Sequence, residues 1–424
     1  MKAPFEPQRS RHAGFTLVEV MIGMLIGVIG IVVIMQVYAV SEGYKRTATT
    51  GSDAQVNGSV ALYLLEREIR LAGFGMNALV PAGCTTVRAW NNARGAAADL
   101  PVLPFQINPA GVPAGDANTD VIVVAYGASD NFVTGVGVAQ AGSSTDDFKI
   151  APSNNGDGFR NGDLVVGMQP GAGPGGTPQC VLHELTAVPG SGGNCGRPSA
   201  GPQWLAHAAI SYPSAASGCQ PQAARFNSAN GIRDASGASV AALNGANNAL
   251  LYNLGPAPQV KAYAVRGGNL ATCDLLNQDC NAAASWQVVA SDIVSLRAIY
   301  GEDFDGNPAP TNAAGDGRVD QWSRAPITTS NQASRTLAAA LEITARNPLR
   351  EKPRAGTQCD ATVDPARPDR AQPQDWYQPF VAMASGSLAG AAIDLSTSSP
   401  DWKCYRYKLF QTSVPIRNMI WKPQ

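Results

Sequence analysis

Between Phe15 and Val40 the chain reads FTLVEVMIGMLIGVIGIVVIMQVYAV, an apolar run whose one charged side chain is Glu19. Wound as a helix, these residues rise about 39 Å at about 1.5 Å each, more than the roughly 30 Å of a bilayer's hydrocarbon core. A cleavable secretory signal has a shorter apolar region, about 7 to 15 residues, and a small-residue cleavage site at its far end. Here the unusual residue stands at the near end, so a membrane span is expected over residues 15–40. Lys2, Arg9 and Arg11 precede it against Glu6 alone. That bias keeps the N-terminus cytoplasmic and sends everything after about Ser41 to the far side.

Glu19 is the costly feature. A carboxylate inside an apolar segment needs a partner, because an unpaired charge there costs several kcal/mol. Gly23, Gly27 and Gly30, spaced by four and three, are either notches for close helix approach or points where the helix is weakened. The hexapeptide Gly14-Phe15-Thr16-Leu17-Val18-Glu19 resembles the cleavage and methylation motif of type IV prepilins and type II secretion pseudopilins. The resemblance implies scission between Gly14 and Phe15 by a prepilin peptidase, N-methylation of Phe15, and pairing of the new amine with Glu19 of a neighbouring subunit. It also implies an α+β, pilin-like fold in which a long N-terminal helix packs on a mainly antiparallel sheet. Residues 1–14 would then be a cytoplasmic leader, 15–40 the transmembrane helix, 41–76 an amphipathic stalk and 77–424 a β-rich periplasmic domain. Many such pilins carry a proline in the apolar helix. None stands between Phe15 and Val56, so the bend of this helix is open.

From Gln55 to Met76, Leu62, Leu65, Ile69 and Ala72 recur at helical spacing while Glu66, Arg67, Glu68 and Arg70 stay polar. Such a stripe needs a sheet to cover it, and Gly73 and Gly75 supply the stop. Beyond, strands are expected at Val121–Ala125, Leu164–Met168, Cys180–Val188, Gln259–Val265, Leu296–Tyr300, Leu337–Ala345 and Tyr405–Pro415. Gly171–Pro178, Gly190–Gly201 and Ser228–Asn248 read as loops elaborating one sheet-centred domain. The run Asp292–Gly301, the strand Leu337–Arg346, and Tyr405–Phe410 through Asn418 together resemble the PilW family of minor pilins. That resemblance implies a role in pilus assembly.

Lys and Arg number 31 against 32 Asp and Glu, so no nucleic-acid footprint exists. Eight cysteines, Cys84, Cys180, Cys195, Cys219, Cys273, Cys280, Cys359 and Cys404, form no paired metal knuckle and suit disulfides in an oxidising compartment. Among roughly a hundred connectivities, the expected pairs are Cys359–Cys404, Cys273–Cys280, Cys180–Cys195 and, by remainder, Cys84–Cys219. His183 and His207 make no HExxH pair and no G-x-S-x-G elbow occurs, so no enzyme is expected and both histidines are placed at surface or loop-capping positions. Trp376, Tyr377, Phe380, Trp402, Tyr405 and Tyr407 concentrate aromatic surface near the C-terminus, for core packing or for a protein or glycan contact.

The expected role is therefore a minor pilin, held in the inner membrane before assembly. Its partners would be other minor pilins, the major pilin, the prepilin peptidase, the assembly platform and membrane lipid. A type II secretion pseudopilin and a pilus-tip adhesin are the alternatives. No cofactor is expected apart from calcium, for which Asp303, Asp305, Asn307, Asp316 and Asp320 supply oxygen ligands around Gly306. An insertion from Pro308 to Gly315 and the lack of a closing Glu depart from an EF-hand, which leaves a solvated acidic turn as the other reading. If the loop holds calcium, the ion raises the melting temperature and Asp305→Ala abolishes the rise. A melt indifferent to calcium leaves only the turn.

Overall fold

The computed structural model describes residues 14–129, 134–150, 158–187, 204–213, 218–303, 317–350, 359, 395 and 398–420, with the backbone alone for 43–52 and 174. The chain divides into two compact units, Met1–Asp53 and Ala54–Gln424. Helix α1 spans Leu17–Leu71. It begins where Thr16 caps it: the hydroxyl oxygen accepts from the Glu19 amide at 3.3 Å. It ends at Leu71, just before the glycines expected to stop it. Gly73 takes φ 76°, a left-handed value that costs glycine little, and its amide then donates to Ala125 O at 2.8 Å.

Among the described residues the second unit is an α+β fold of mainly antiparallel strands: β1 (Thr86–Asn91), β2 (Ala96–Pro101), β3 (Phe105–Ile107), β4 (Ile122–Tyr126), β5 (Val136–Gln140), β6 (Asp147–Ile150), β7 (Leu164–Gln169), β8 (Gln179–Glu184), β9 (Trp204–Ala206), β10 (Ser211–Pro213), β11 (Pro221–Ala223), β12 (Leu250–Gly255), β13 (Gln259–Arg266), β14 (Asn269–Asp274), β15 (Gln287–Ala290), β16 (Ile293–Glu302), β17 (Gln321–Ser323), β18 (Thr336–Arg346) and β19 (Tyr407–Pro415). They form three larger sheets rather than one. The orders are β2-β1-β8-β7-β12-β5-β6-β9, β15-β14-β13-β4-β3 and β17-β16-β18-β19, beside the hairpin β10-β11. One pairing, β1 with β8, is parallel.

The five-stranded sheet is the middle layer, because its strands are apolar on both faces. Ile122 and Val124 of β4, with Tyr263 and Val265 of β13, face the core that holds Ala61, Leu65 and Ile69 of α1. Val123, Ala125, Ala262 and Ala264 point the other way, onto Val166, Leu182 and Leu254 of the eight-stranded sheet. The four-stranded sheet joins the same platform under the helix through Leu296, Ala298, Leu341 and Ile343. Gly58 leaves a notch in α1 for the Phe410 ring, which a Cβ there would strike.

The eight-stranded sheet curls on itself. Just past β8, the Thr186 amide donates to Ala206 O and the Ala206 amide to Ala187 O, both at 2.8 Å, so β8-β7-β12-β5-β6-β9 close into a ring. Val138, Phe148, Val165, Leu205 and Leu251 fill it. The stretch 228–248 is largely irregular, as expected, and packs Leu243 into the same core. Gly190–Gly201 lies outside the described residues.

Disulfides join Cys273 to Cys280 and Cys359 to Cys404. The other two expected pairs are corrected: Cys84 bonds Cys180, 96 residues away. Chain proximity misleads here because β1, two residues after Cys84, lies against β8, which carries Cys180. Cys219 is also disulfide-bonded, and Cys195 lies outside the described residues.

Asp120 ties the two sheets beneath the helix. Its amide donates to Leu296 O at 2.8 Å, and its carboxylate accepts from the Ala298 amide at 3.0 Å and from Asn108 at 3.0 Å, while pairing with Arg297 and Arg324. Breaking a buried charged pair of this kind costs about 3–5 kcal/mol. Asp120→Ala should therefore lower the unfolding free energy by about that amount, measured by denaturant unfolding of the whole chain; a loss below about 1 kcal/mol contradicts the assignment.

Candidate functional site

The first unit presents an apolar helix whose described residues are exposed. Leu17–Glu42 has no buried residue, and among the described residues it is the one helix long and apolar enough to cross a membrane. Phe15 is 82% exposed, and Leu17, Met21, Leu25 and Ile29 are exposed after it. A Cβ added at Gly23, Gly27 or Gly30 would meet no atom within 4 Å. Packing among the described residues therefore gives no reason for those three glycines.

Thr16 and Glu19 stand at the N-cap and third helical positions, the spacing of a capping box. Only half of that motif forms. Thr16 accepts from the Glu19 amide, whereas the Glu19 carboxylate makes no hydrogen bond or ion pair among the described residues. An acid at the start of a helix favours the positive end of the helix dipole. It still leaves two carboxylate oxygens without a partner among the described residues.

In the second unit Glu68 does the opposite and binds within the chain. The Tyr126 hydroxyl donates to Glu68 Oε2 at 2.9 Å and Lys261 Nζ lies 3.7 Å from the same oxygen. Burial and the neighbouring carboxylate together raise the Tyr126 pKa well above its ordinary value. This contact clamps the polar edge of α1 to β4 and β13. It could have been suspected from sequence only as an odd carboxylate close to the buried stripe.

The other expected site residues are distributed differently. Asp303 is buried, with its amide donating to Arg335 O at 3.0 Å and its Oδ2 accepting from the Gly317 amide at 2.9 Å. The Asp320 amide donates to Glu302 O at 3.0 Å. Asp305, Asn307 and Asp316 lie outside the described residues. Among the described residues no three His, Cys, Asp or Glu side chains gather as metal ligands. Trp376, Tyr377 and Phe380 are likewise outside; Trp402 and Tyr407 pack on Val294 and Leu395, and the Tyr407 hydroxyl donates to Trp402 O at 2.7 Å.

Of the two placements expected for the histidines, surface or loop-capping, the surface one is corrected. His183 and His207 are buried, with ring centroids 4.4 Å apart, in the core of the strand ring. Strand alternation does separate His183 from its neighbour Glu184. Glu184 faces away, accepting from the Tyr212 hydroxyl at 2.5 Å, from the Phe226 amide and from Arg225.

Residues 9–35 match the family model described as the prokaryotic N-terminal methylation motif. The chain carries a prepilin-type signature. The match supports a type IV pilin-like protein, pilin or pseudopilin, processed by a prepilin peptidase and assembled with other pilins. No curated protein and no solved structure matches the chain.

Thr16→Val keeps the side chain's shape but removes the cap. The start of α1 should loosen by about 0.5–2 kcal/mol, seen in micelles as faster amide exchange at Glu19 with no change at Leu65 or Ile69. Unchanged exchange at Glu19 would show that the hydroxyl caps nothing.

Proposed function

We propose that this chain is a minor pilin of a type IV pilus, anchored in the inner membrane by residues 15–40 until it is drawn into a filament. One observation carries the reading: a carboxylate with no partner among the described residues stands four residues beyond a Gly–Phe bond, on an apolar helix exposed throughout.

Hydrolysis of the Gly14–Phe15 bond adds water, leaving a carboxylate on Gly14 and an ammonium group on Phe15. Methylation keeps that nitrogen cationic. Inside a bundle of apolar helices each such cation needs an anion, and Glu19 of an adjoining subunit is the anion at hand. Pairing the two fixes the axial register between subunits. The uncovered notches at Gly23, Gly27 and Gly30 let helices approach closely where lipid or neighbouring helices surround them.

Lys2, Arg9 and Arg11 hold the leader in the cytoplasm, which puts the second unit in the periplasm. The three described disulfides suit that oxidising compartment. Residues 1–14 then form the leader and 54–424 the head, whose work is packing and charge pairing rather than catalysis. Other minor pilins, the major pilin and the assembly platform are its partners. Pseudopilins share the N-terminal motif; the PilW-like runs Asp292–Gly301 and Tyr405–Asn418 favour the pilus. Each run feeds a strand of the platform under α1, β16 and β19.

Mass spectrometry of the native protein should find a mature N-terminus of methylated Phe15. Glu19→Ala should be cleaved normally yet fail to enter filaments. A polypeptide that keeps Met1, or an alanine variant that assembles like the parent, overturns the proposal.

A further inference from the structure

Phe148, His183 and His207 stack inside the strand ring. The His207 ring lies over Phe148 with centroids 4.1 Å apart, and His183 meets Phe148 edge-on at 5.1 Å. His183 belongs to β8 and His207 follows β9 directly. The two imidazoles, 4.4 Å apart, therefore straddle the seam where Thr186 and Ala187 bond to Ala206 and the ring closes.

The surroundings suit neutral rings. His207 Nε2 lies 3.2 Å from Ser143 O. The His183 ring makes no hydrogen bond among the described residues and shares a small pocket with neutral Gln179 and apolar Ile232, Val240 and Leu243. The charged groups facing the pair come from β6 and the turn before it. Asp146 already accepts from Ser143 Oγ and Thr145 Oγ1, and Asp147 from the Ser143 amide. On β8 the adjacent carboxylate, Glu184, is committed to Tyr212 and Arg225 on the opposite face. Among the described residues no carboxylate is thus poised to accept a proton-bearing imidazole at His183.

We propose that His183 and His207 form an acid-operated latch: protonating them parts β8 from β9 and opens the strand ring, while the sheets under α1 stay folded. Two cations at this separation repel each other, and neither can be hydrated without opening the seam. Burial holds the His207 pKa down to about 4, against the opposing pull of Ser143 O and the two aspartates. Burial and the neighbouring His207 hold His183 down as well. In the opened chain both would titrate near an ordinary value of about 6.5. The open form therefore binds more protons. The closed ring keeps its full stability above about pH 6.5 and loses it as the pH falls. Opening exposes the apolar lining of the ring, including Leu205 and Leu251.

The test uses the whole chain in detergent micelles, where His12 is the one other histidine. Amide exchange, corrected for its intrinsic pH dependence, is followed from pH 7 to pH 4.5. The His207 shift alone predicts that opening of β6 and β9 rises roughly 50-fold over this range, while β16 and β18 hold. Replacing both histidines by phenylalanine (H183F with H207F) should keep the ring closed at pH 4.5. If acid loosens β6 and β9 equally in parent and variant, or loosens all strands together, the latch is refuted. Should the variant fail to close at pH 7, the imidazole C2–H resonances of the parent decide. Titration of both near 6.5 without opening overturns the proposal, and delayed titration coincident with opening upholds it.

Discussion

The apolar surface of α1 must be covered by something, and how each half of the helix meets that demand organises the molecule. Residues 54–72 are covered from within: Ala61, Leu65, Ile69 and Ala72 are fully buried. Burying each of the larger side chains contributes about 1.5–3 kcal/mol. Residues 17–42 expose their apolar side chains on every side. In water that surface would drive aggregation, so lipid or other helices have to supply what the chain does not. Glu19 carries the same demand in polar form.

The covering of the second half requires a sheet that is apolar on both faces, and β4 and β13 provide it by strict alternation. Their odd and even residues feed two separate cores, one against α1 and one against the eight-stranded sheet. A two-sided layer cannot shift by one residue without exchanging those faces. Polar groups tie it to its neighbours at a few points. Asp120 joins it to β16, and Glu68 holds the helix edge to Tyr126 and Lys261. The strand ring is set off from this platform, with a core of its own and the histidine pair in its seam.

Strands of mostly β-branched or alternating residues were legible in advance: all seven expected segments contain strands, with ends moved by a few residues. Short strands such as β5, β6 and β9 were not. They are three to five residues long, interrupted by Gly, Ser and Asp, and become strands only because neighbours in the ring accept their hydrogen bonds. Cys84–Cys180 was missed for a related reason, since the two residues meet only through the parallel pairing of β1 with β8. His183 and His207 were read as surface or loop-capping residues because a lone histidine carries no periodic signal. Their burial depends on a curl of the sheet that brings residues 24 positions apart into ring contact.

The apolar run, the lone Glu19, the cap at Thr16 and the stop at Gly73 are local properties, determined by sequence alone because each depends on helix geometry over a few residues. Which strands share a sheet, which cysteines pair and which polar groups are buried were decided by the tertiary structure. Those outcomes depend on long-range hydrogen-bond partners and on layers packing face to face, and neither the spacing of residues nor their composition encodes which distant segment arrives.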